Sequence, residues 1–198
     1  MVIDEEVLLG NGGEVQIYGA KESILLDGSL PKFYFQIISG IVKLNTYRDD
    51  GSEIIYSLPS EGHCFAETFL WHETPYCINA VAITEAKIIK LPKPDFMHLI
   101  NSNSSLLNNV MAYTAERMFY RYKMLDLLST SSSAKRVLGV LHFLKNHDKV
   151  EEPFMYIVPF SRQQIADITG LRLETVVRTV KKLEQENHLC ILNGKICL

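Results

Sequence analysis

Between Ser161 and Glu184 the chain reads SRQQIADITGLRLETVVRTVKKLE. Two residues in this stretch are spaced for base recognition. Glu174 and Arg178 stand four apart, so on a helix they share one face. In a DNA major groove a carboxylate accepts from cytosine N4, and a guanidinium forks onto guanine O6 and N7. The same spacing also makes an ordinary solvent-exposed ion pair, so the elements that carry the two residues must decide. Ser161 and Gln164 form a capping-box pair that opens a helix. Ile165, Ala166 and Ile168 give that helix one apolar face. Gly170 supplies a turn, because glycine takes left-handed backbone without a Cβ clash. Leu173, Val176, Val177, Val180 and Leu183 then recur at helical spacing. Two short helices joined by such a turn place the start of the second in the major groove. Arg172, Lys181 and Lys182 add positive charge around it.

The whole chain bounds this reading. Its 198 residues hold one large or two modest domains, and 47% hydrophobic with 22% charged residues describes an ordinary globular protein. The net charge of -3 does not suggest a nucleic-acid binder, but its distribution does. Residues 1–129 carry ten basic and sixteen acidic side chains, net -6, whereas residues 130–198 carry ten basic and seven acidic, net +3. A basic C-terminal module on an acidic body suits DNA contact through one end. No apolar run approaches the ~18 residues of a membrane span, and no charged segment leads into an apolar one at the start. A cytoplasmic location is expected. The four cysteines, Cys64, Cys77, Cys190 and Cys197, make no C-x-x-C pair and read as free thiols in or near cores, with Cys197 an exposed thiol.

Short strands dominate the first half. Residues 14–18, 23–26, 33–38, 41–47, 53–58, 77–83 and 86–91 each combine β-prone residues with flanking turn signals, and Asp49-Asp50-Gly51 marks a hairpin. The last two runs are expected to pair across Thr84-Glu85. Many short strands of this kind predict an all-β barrel or jelly roll. Pro94 opens a helical stretch over 95–100, and Asn101–Ser105 is a bend rich in capping residues. A long helix follows over about 106–128. Leu107, Met111, Thr114, Met118, Arg121, Leu125 and Leu128 fall on a 4-3-4-3 spacing, which is a coiled-coil seam. The competing reading is a helix lying on the barrel, which wants a broader apolar stripe; Met118, Phe119, Tyr122 and Leu125 supply one. The polar run 129–133 is a hinge. Residues 134–147 make an amphipathic helix with Val137, Leu138, Leu141 and Leu144 inward. A loop over 148–153 and a strand over 154–158 lead into the two short helices. Asn193-Gly194 between apolar runs closes the chain as a β-wing.

The pattern at 161–183 resembles, without gaps, the helix–turn–helix of the cyclic-AMP receptor/fumarate–nitrate regulator family of bacterial transcription factors. Gly40-Ile-Val-Lys-Leu44 and Gly62-His-Cys-Phe-Ala-Glu67 are similar to that family's barrel signatures. The resemblance covers nearly the whole chain. It implies an α+β protein: an effector-type β-roll over 1–102, a dimerisation helix over 103–129 and a winged helix–turn–helix over 130–198. It implies a homodimeric transcriptional regulator rather than an enzyme, with double-stranded DNA and RNA polymerase as partners. Ser161, Arg162, Gln163, Arg172 and Lys181 would hold the DNA backbone. Glu174 and Arg178 would read a GA step in each half-site, with Leu173, Thr175 and Val177 beside them. The seam residues would form the dimer interface. The effector pocket would be built from Glu67, Thr68, Tyr76 and Cys77 of the barrel with Arg121 and Tyr122 of the long helix.

The chain departs from the family at three places. Cyclic-AMP binders hold the phosphate with an arginine about ten residues after the glutamate that stands at Glu67, and no arginine occurs between Phe69 and Ala86. The bulky pair Arg121-Tyr122 stands where those members carry small hydroxyls. A buried cyclic phosphate without a cation is poorly neutralised, so activation by cyclic AMP and a resident cofactor are not expected. Haem on His63, Cys64, His72 or Cys77, or another small effector, is the alternative. Arg172 stands where the family places a Ser or Thr N-cap, and arginine has no oxygen acceptor. Either a DNA phosphate orders that helix start and Arg172 contacts it, or Thr175 or water satisfies it and Arg172 is merely solvated. A cupin-type metalloenzyme wants a His-x-His ligand pair, which is absent. A cyclic-nucleotide module serving another enzyme fits less well with the wing.

Overall fold

The computed structural model describes residues 1–72, 74–147 and 155–198, the side chains of 146 and 147 apart. The chain divides into two compact units, 1–118 and 119–198.

In the first unit, eight strands build two antiparallel four-stranded sheets. The strands are β1 (Glu14–Tyr18), β2 (Ser23–Leu25), β3 (Phe33–Ser39), β4 (Val42–Tyr47), β5 (Glu53–Ser57), β6 (Cys64–Phe65), β7 (Asn79–Ala82) and β8 (Ala86–Pro92). One sheet runs β1-β8-β3-β6, the other β2-β7-β4-β5. The near-continuous apolar run of β3 follows from burial on both faces. Phe35 and Ile37 pack between the sheets with Leu25, Val42, Leu44, Phe65, Ala80 and Ile88. Tyr34 points the other way, into a second core with Ile89, Leu91 and Phe96, where it stacks on Phe96 at 4.4 Å. That second core is closed by α1 (Glu5–Gly10), α2 (Phe69–His72), α3 (Lys93–Ser102) and the start of α4 (Ser104–Ser129). Sequence reading misses α1, β6 and α2, which are too short to show a period. Asp4 caps α1 through Glu6 N, and Gln36, fully buried, both accepts from Ile3 N and donates to Ile3 O.

The strands expected to pair across Thr84-Glu85 do not pair. β7 lies between β2 and β4, and β8 between β1 and β3, so Thr84-Glu85 crosses from one sheet to the other. Gly40-Ile41 makes the parallel crossing from β3 to β4. The two corners brace each other: Ile41 N donates to Thr84 Oγ1 at 3.0 Å. Gly40 sits at φ 96°, where a Cβ would come within 2.4 Å of Glu85 O. Apolar alternation says which side of a strand is buried, and both sheets bury toward the same core, so it cannot say which sheet a strand joins.

α4 begins at an Asn103 cap, whose Oδ1 accepts from Ser105 N and Leu106 N. Its 26 residues include one fully buried side chain, Val110. Met111, Met118, Phe119, Tyr122 and Leu125 are 52–66% exposed.

The second unit holds α5 (Ser133–His147), α6 (Arg162–Thr169), α7 (Leu173–Gln185) and a hairpin of β9 (Cys190–Leu192) and β10 (Lys195–Cys197). Val137, Leu141, Ile165, Val176, Val180, Leu183 and Ile196 form its core. The Asn193-Gly194 turn takes left-handed backbone at both residues, φ 49° and 78°, as a two-residue hairpin requires. Of the strand expected over 154–158, residue 154 lies outside the described residues. Ile157 makes an antiparallel bridge to Cys197, and Tyr156 exchanges backbone hydrogen bonds with Leu198 at 3.2 and 3.0 Å. The loop expected over 148–153 also lies outside the described residues. Cys197 is not an exposed thiol: it is 1% exposed, with β9 on one side and the bridged segment 156–158 on the other.

Candidate nucleic-acid interface

α6 starts at the expected capping box. Ser161 Oγ accepts from Gln164 N at 3.2 Å, and Gln164 Oε1 accepts from Ser161 N at 2.8 Å. The helix ends at Gly170, left-handed at φ 67°. Leu171 N donates back to Ala166 O at 3.2 Å, which closes the last turn. The turn sets α7 so that Val176, Val180 and Leu183 enter the core while the opposite face stays outside. That outer face carries Glu174, Arg178, Lys181, Lys182 and Gln185, with Leu173 at 37% exposure and Val177 half-buried. Together these residues line a shallow depression of about 620 Å³. Among the described residues the i,i+4 ion pair here is Lys182–Glu186 at 3.7 Å, whereas Glu174 and Arg178 engage no ion pair. Glu174 and Arg178 are therefore presented to solvent with their hydrogen-bonding capacity unspent.

Arg172 occupies the N-cap of α7 in extended conformation, φ -70° and ψ 145°, with no side-chain cap bond. Its carbonyl accepts from Thr175 N and Val176 N at 2.9 and 3.1 Å. Arg162, at the first position of α6, is half-buried and donates from Nη1 to Gly194 O at 2.9 Å, tying the helix to the tip of the hairpin. Gln163 Nε2 donates to the buried carboxylate of Asp167 at 2.8 Å. Ser161, Gln163, Arg172 and Lys181 are exposed, and Thr175 is half-buried. A residue that sequence reading passes over is Arg136. Its Nε and Nη2 donate to Thr130 O at 3.1 and 2.7 Å, and its Nη1 donates to Thr169 O at 3.3 Å. It binds the last turn of α6 to the 129–133 hinge; a lone basic residue at a helix start carries no signal for such a clamp.

In the first unit, Glu67 is 5% exposed, and its Oε1 lies 3.4 Å from Thr114 Oγ1, which donates to it. Tyr76 is buried in the inter-sheet core, edge-on to Phe69, and its hydroxyl has no hydrogen-bond partner among the described residues. Burial pushes its pKa up to about 12. Thr68 is half-buried and Cys77 exposed. Arg121 and Tyr122 are exposed on α4. Of the seam residues, Leu107 packs into the second core of the first unit, Thr114 and Leu128 are half-buried, and Met111, Met118, Arg121 and Leu125 are exposed. His63 accepts from Ser60 N at 3.1 Å through Nδ1, Cys64 is buried, and His72 is exposed. Among the described residues no three His, Cys, Asp or Glu side chains converge on one point. No described helix is long and apolar enough to cross a membrane.

Two family models match the chain: the cyclic nucleotide-binding domain over residues 15–103 and the Crp-like helix-turn-helix domain over residues 135–198. The chain is 26% identical over 180 residues to the cAMP-activated global transcriptional regulator CRP of Pasteurella multocida, covering 90% of this chain and 86% of that one. It is 24% identical over 172 residues to a probable transcriptional activator of Rhizobium leguminosarum bv. viciae, covering 86% and 70%. Among solved structures, the c-di-GMP responsive global regulator CLP of Xanthomonas campestris superposes with a TM-score of 0.82 at 18% identity, covering 98% and 96%. FixK2 of Bradyrhizobium japonicum superposes at 0.80 with 21% identity, covering 94% and 92%.

Proposed function

The chain belongs to the Crp/Fnr family of transcriptional regulators, and from that premise we propose that it acts as a cytoplasmic homodimer that reads a pseudo-palindromic duplex with GA in each half-site. The observation that carries this reading is the outer face of α7, where Glu174 and Arg178 stand without an ion pair among the described residues, beside Lys181 and Lys182. Glu174 accepts from a cytosine N4 and Arg178 forks onto a guanine. Leu173 and Val177 present apolar surface to a thymine methyl. Ser161, Arg162, Gln163, Arg172 and Lys181 hold phosphates, with Thr175 beside them. Double-stranded DNA and RNA polymerase are the partners, and regulation of transcription rather than catalysis is the activity.

Dimerisation uses α4. The helix has one buried side chain and leaves Met111, Met118, Phe119, Tyr122 and Leu125 exposed, and contiguous exposed apolar surface marks an interaction face. Met111, Met118 and Leu125 would then meet their symmetry mates across a two-fold axis, with Arg121 setting register.

Cyclic AMP is not the activator in this reading. The candidate ribose ligand, Glu67, is turned to Thr114, Tyr76 fills core space, and no arginine stands between Phe69 and Ala86. A ligand shifts an equilibrium only by its differential affinity for the two states, and without a phosphate anchor cyclic AMP has little to discriminate with. Fluorescence anisotropy on a GA-containing palindrome and on one with both GA steps changed tests the whole reading. Tight binding to the first alone, unchanged by cyclic AMP or cyclic GMP, is the expected result. Micromolar cyclic-nucleotide binding that raises duplex affinity would refute the ligand claim, and equal affinity for the two duplexes would refute the site.

Arg172 adds a finer expectation. Serine at an N-cap stabilises a helix by about 1 kcal/mol over a residue that cannot cap. Arg172→Ser therefore raises the melting temperature yet weakens duplex binding and lowers its salt dependence, because a phosphate contact is lost. An unaltered salt slope would show that Arg172 is merely solvated.

A further inference from the structure

The wing carries two of the four cysteines, and they face each other. Cys190 and Cys197 are directly opposed in the register of β9 and β10, two pairs back from the Asn193-Gly194 turn. Opposed residues of an antiparallel pair project to the same side of the sheet. Ile191 and Ile196, the intervening pair, point into the core of the second unit, so the two thiols share the other face. Burial, and after it the neighbouring Cys197 thiol, push the Cys190 thiol up, and Cys197 Sγ donates to Lys195 O at 3.9 Å. Cys190 is half-buried and reachable from solvent, whereas Cys197 is buried. Opposed Cα atoms in such a ladder lie about 4.5–5.5 Å apart, within the roughly 4.4–6.8 Å that a disulfide spans.

We infer that Cys190 and Cys197 form a dithiol modification site in the wing, closed to an intramolecular disulfide by exchange with a small-molecule disulfide and reopened by a small thiol. The Cys190 thiolate attacks one sulfur of the small disulfide and expels the first small thiolate. The Cys197 thiolate then attacks Cys190 Sγ and expels the second. Two protons and two electrons pass from the protein dithiol to the small disulfide, which leaves as two thiols. Ile196 and Leu198 spend their backbone groups on the 156–158 segment, which leaves Cys197 as a hydrogen-bonded partner of Cys190. In pairs of that kind the side chains stand farther apart than in the alternate ones. The ladder must tighten to close the bond, and a bond formed under strain is the readily reduced kind.

The consequence reaches the interface through Arg162. Its Nη1 holds Gly194 O at the hairpin tip at 2.9 Å, so tightening the base of the hairpin shifts the tip against the first residue of α6. Loss of duplex affinity on oxidation rests on the DNA-binding reading above; the thiol chemistry does not.

The test uses the full chain with Cys77→Ser, which removes the exposed thiol of the first unit. The reduced protein is equilibrated with oxidised glutathione, remaining thiols are alkylated under denaturing conditions, and peptides are mapped by mass. A Cys190–Cys197 cross-link lacking two hydrogens, lost when Cys190→Ser is introduced, is expected. Cys190 carrying glutathione beside a reduced Cys197, or both thiols alkylated, would overturn the site. Duplex affinity of the cross-linked protein should fall at least about fivefold and return on adding dithiothreitol. Unchanged affinity in a fully cross-linked sample would overturn the coupling. Failure of the reduced protein to bind any duplex would count against the DNA-binding reading and leave the cross-link result standing.

Discussion

Replacing Met118 and Leu125 together by glutamate should turn the protein into a monomer in sedimentation and lower its affinity for the palindromic duplex by about 10²–10⁴-fold. The size follows from how two linked sites bind. Once one recognition helix is seated, the second half-site is met at an effective concentration far above that of free protein, and losing that link removes a gain of this order without touching a DNA contact. Four carboxylates then face one another along the seam, two from each copy, and like charges brought together in an apolar interface are strongly unfavourable. The folded protomer should survive, because Met118 and Leu125 are 52% and 66% exposed in it and exposed substitutions usually change stability by no more than about 0.5 kcal/mol. An unchanged melting temperature alongside the loss of dimer would separate assembly from folding. Monomers from the unaltered chain would remove the basis of the proposal.

The helix–turn–helix was the most legible part of the chain because its signals are local. A capping box, one left-handed glycine and a helical apolar period all act within four residues, and Ser161, Gln164, Gly170 and Val176 do in the structure what their types imply. The Asn193-Gly194 hairpin was legible for the same reason. Strand positions in the barrel were readable, but strand partners were not. Thr84-Glu85 looks like a hairpin turn and is a passage between sheets, because its neighbours bury into a core shared by both. Long-range polar contacts left no trace in the spacing: the Arg136 clamp on Thr130 and Thr169 joins residues 33 apart, and the Gln36 strap on Ile3 does the same. The burial of Cys197 depends on the segment at 156–158 returning beside it, which no pattern near residue 197 announces. The outer face of α7 illustrates the opposite case. Its charged residues stay outside the core, so packing does not explain their types, and Glu174 and Arg178, without an ion pair among the described residues, are the two that the proposed duplex contact accounts for.

Arg178→Ala should cost about 1–3 kcal/mol on the cognate duplex, a loss of roughly 5–150-fold, while leaving affinity for random duplex nearly unchanged. The discrimination at one base pair should relax accordingly. The reason lies in what a forked guanidinium does. Against guanine O6 and N7 it makes two directed hydrogen bonds, and against any other base one or both are lost. Stability should be untouched, since Arg178 is exposed and has no ion-pair partner among the described residues. Arg162→Ala supplies the contrast. One arm of Arg162 is committed to Gly194 O, and its remaining donors are free to hold a phosphate, which carries no sequence information. Removing it should weaken cognate and random duplexes by the same factor and reduce the slope of log affinity against log salt by about one. The Arg178 variant should keep most of the slope and lose the preference; the Arg162 variant should keep the preference and lose slope. Should Arg178→Ala weaken cognate and random duplexes equally, Arg178 holds the backbone, and the reading of GA would have to rest on Glu174 alone.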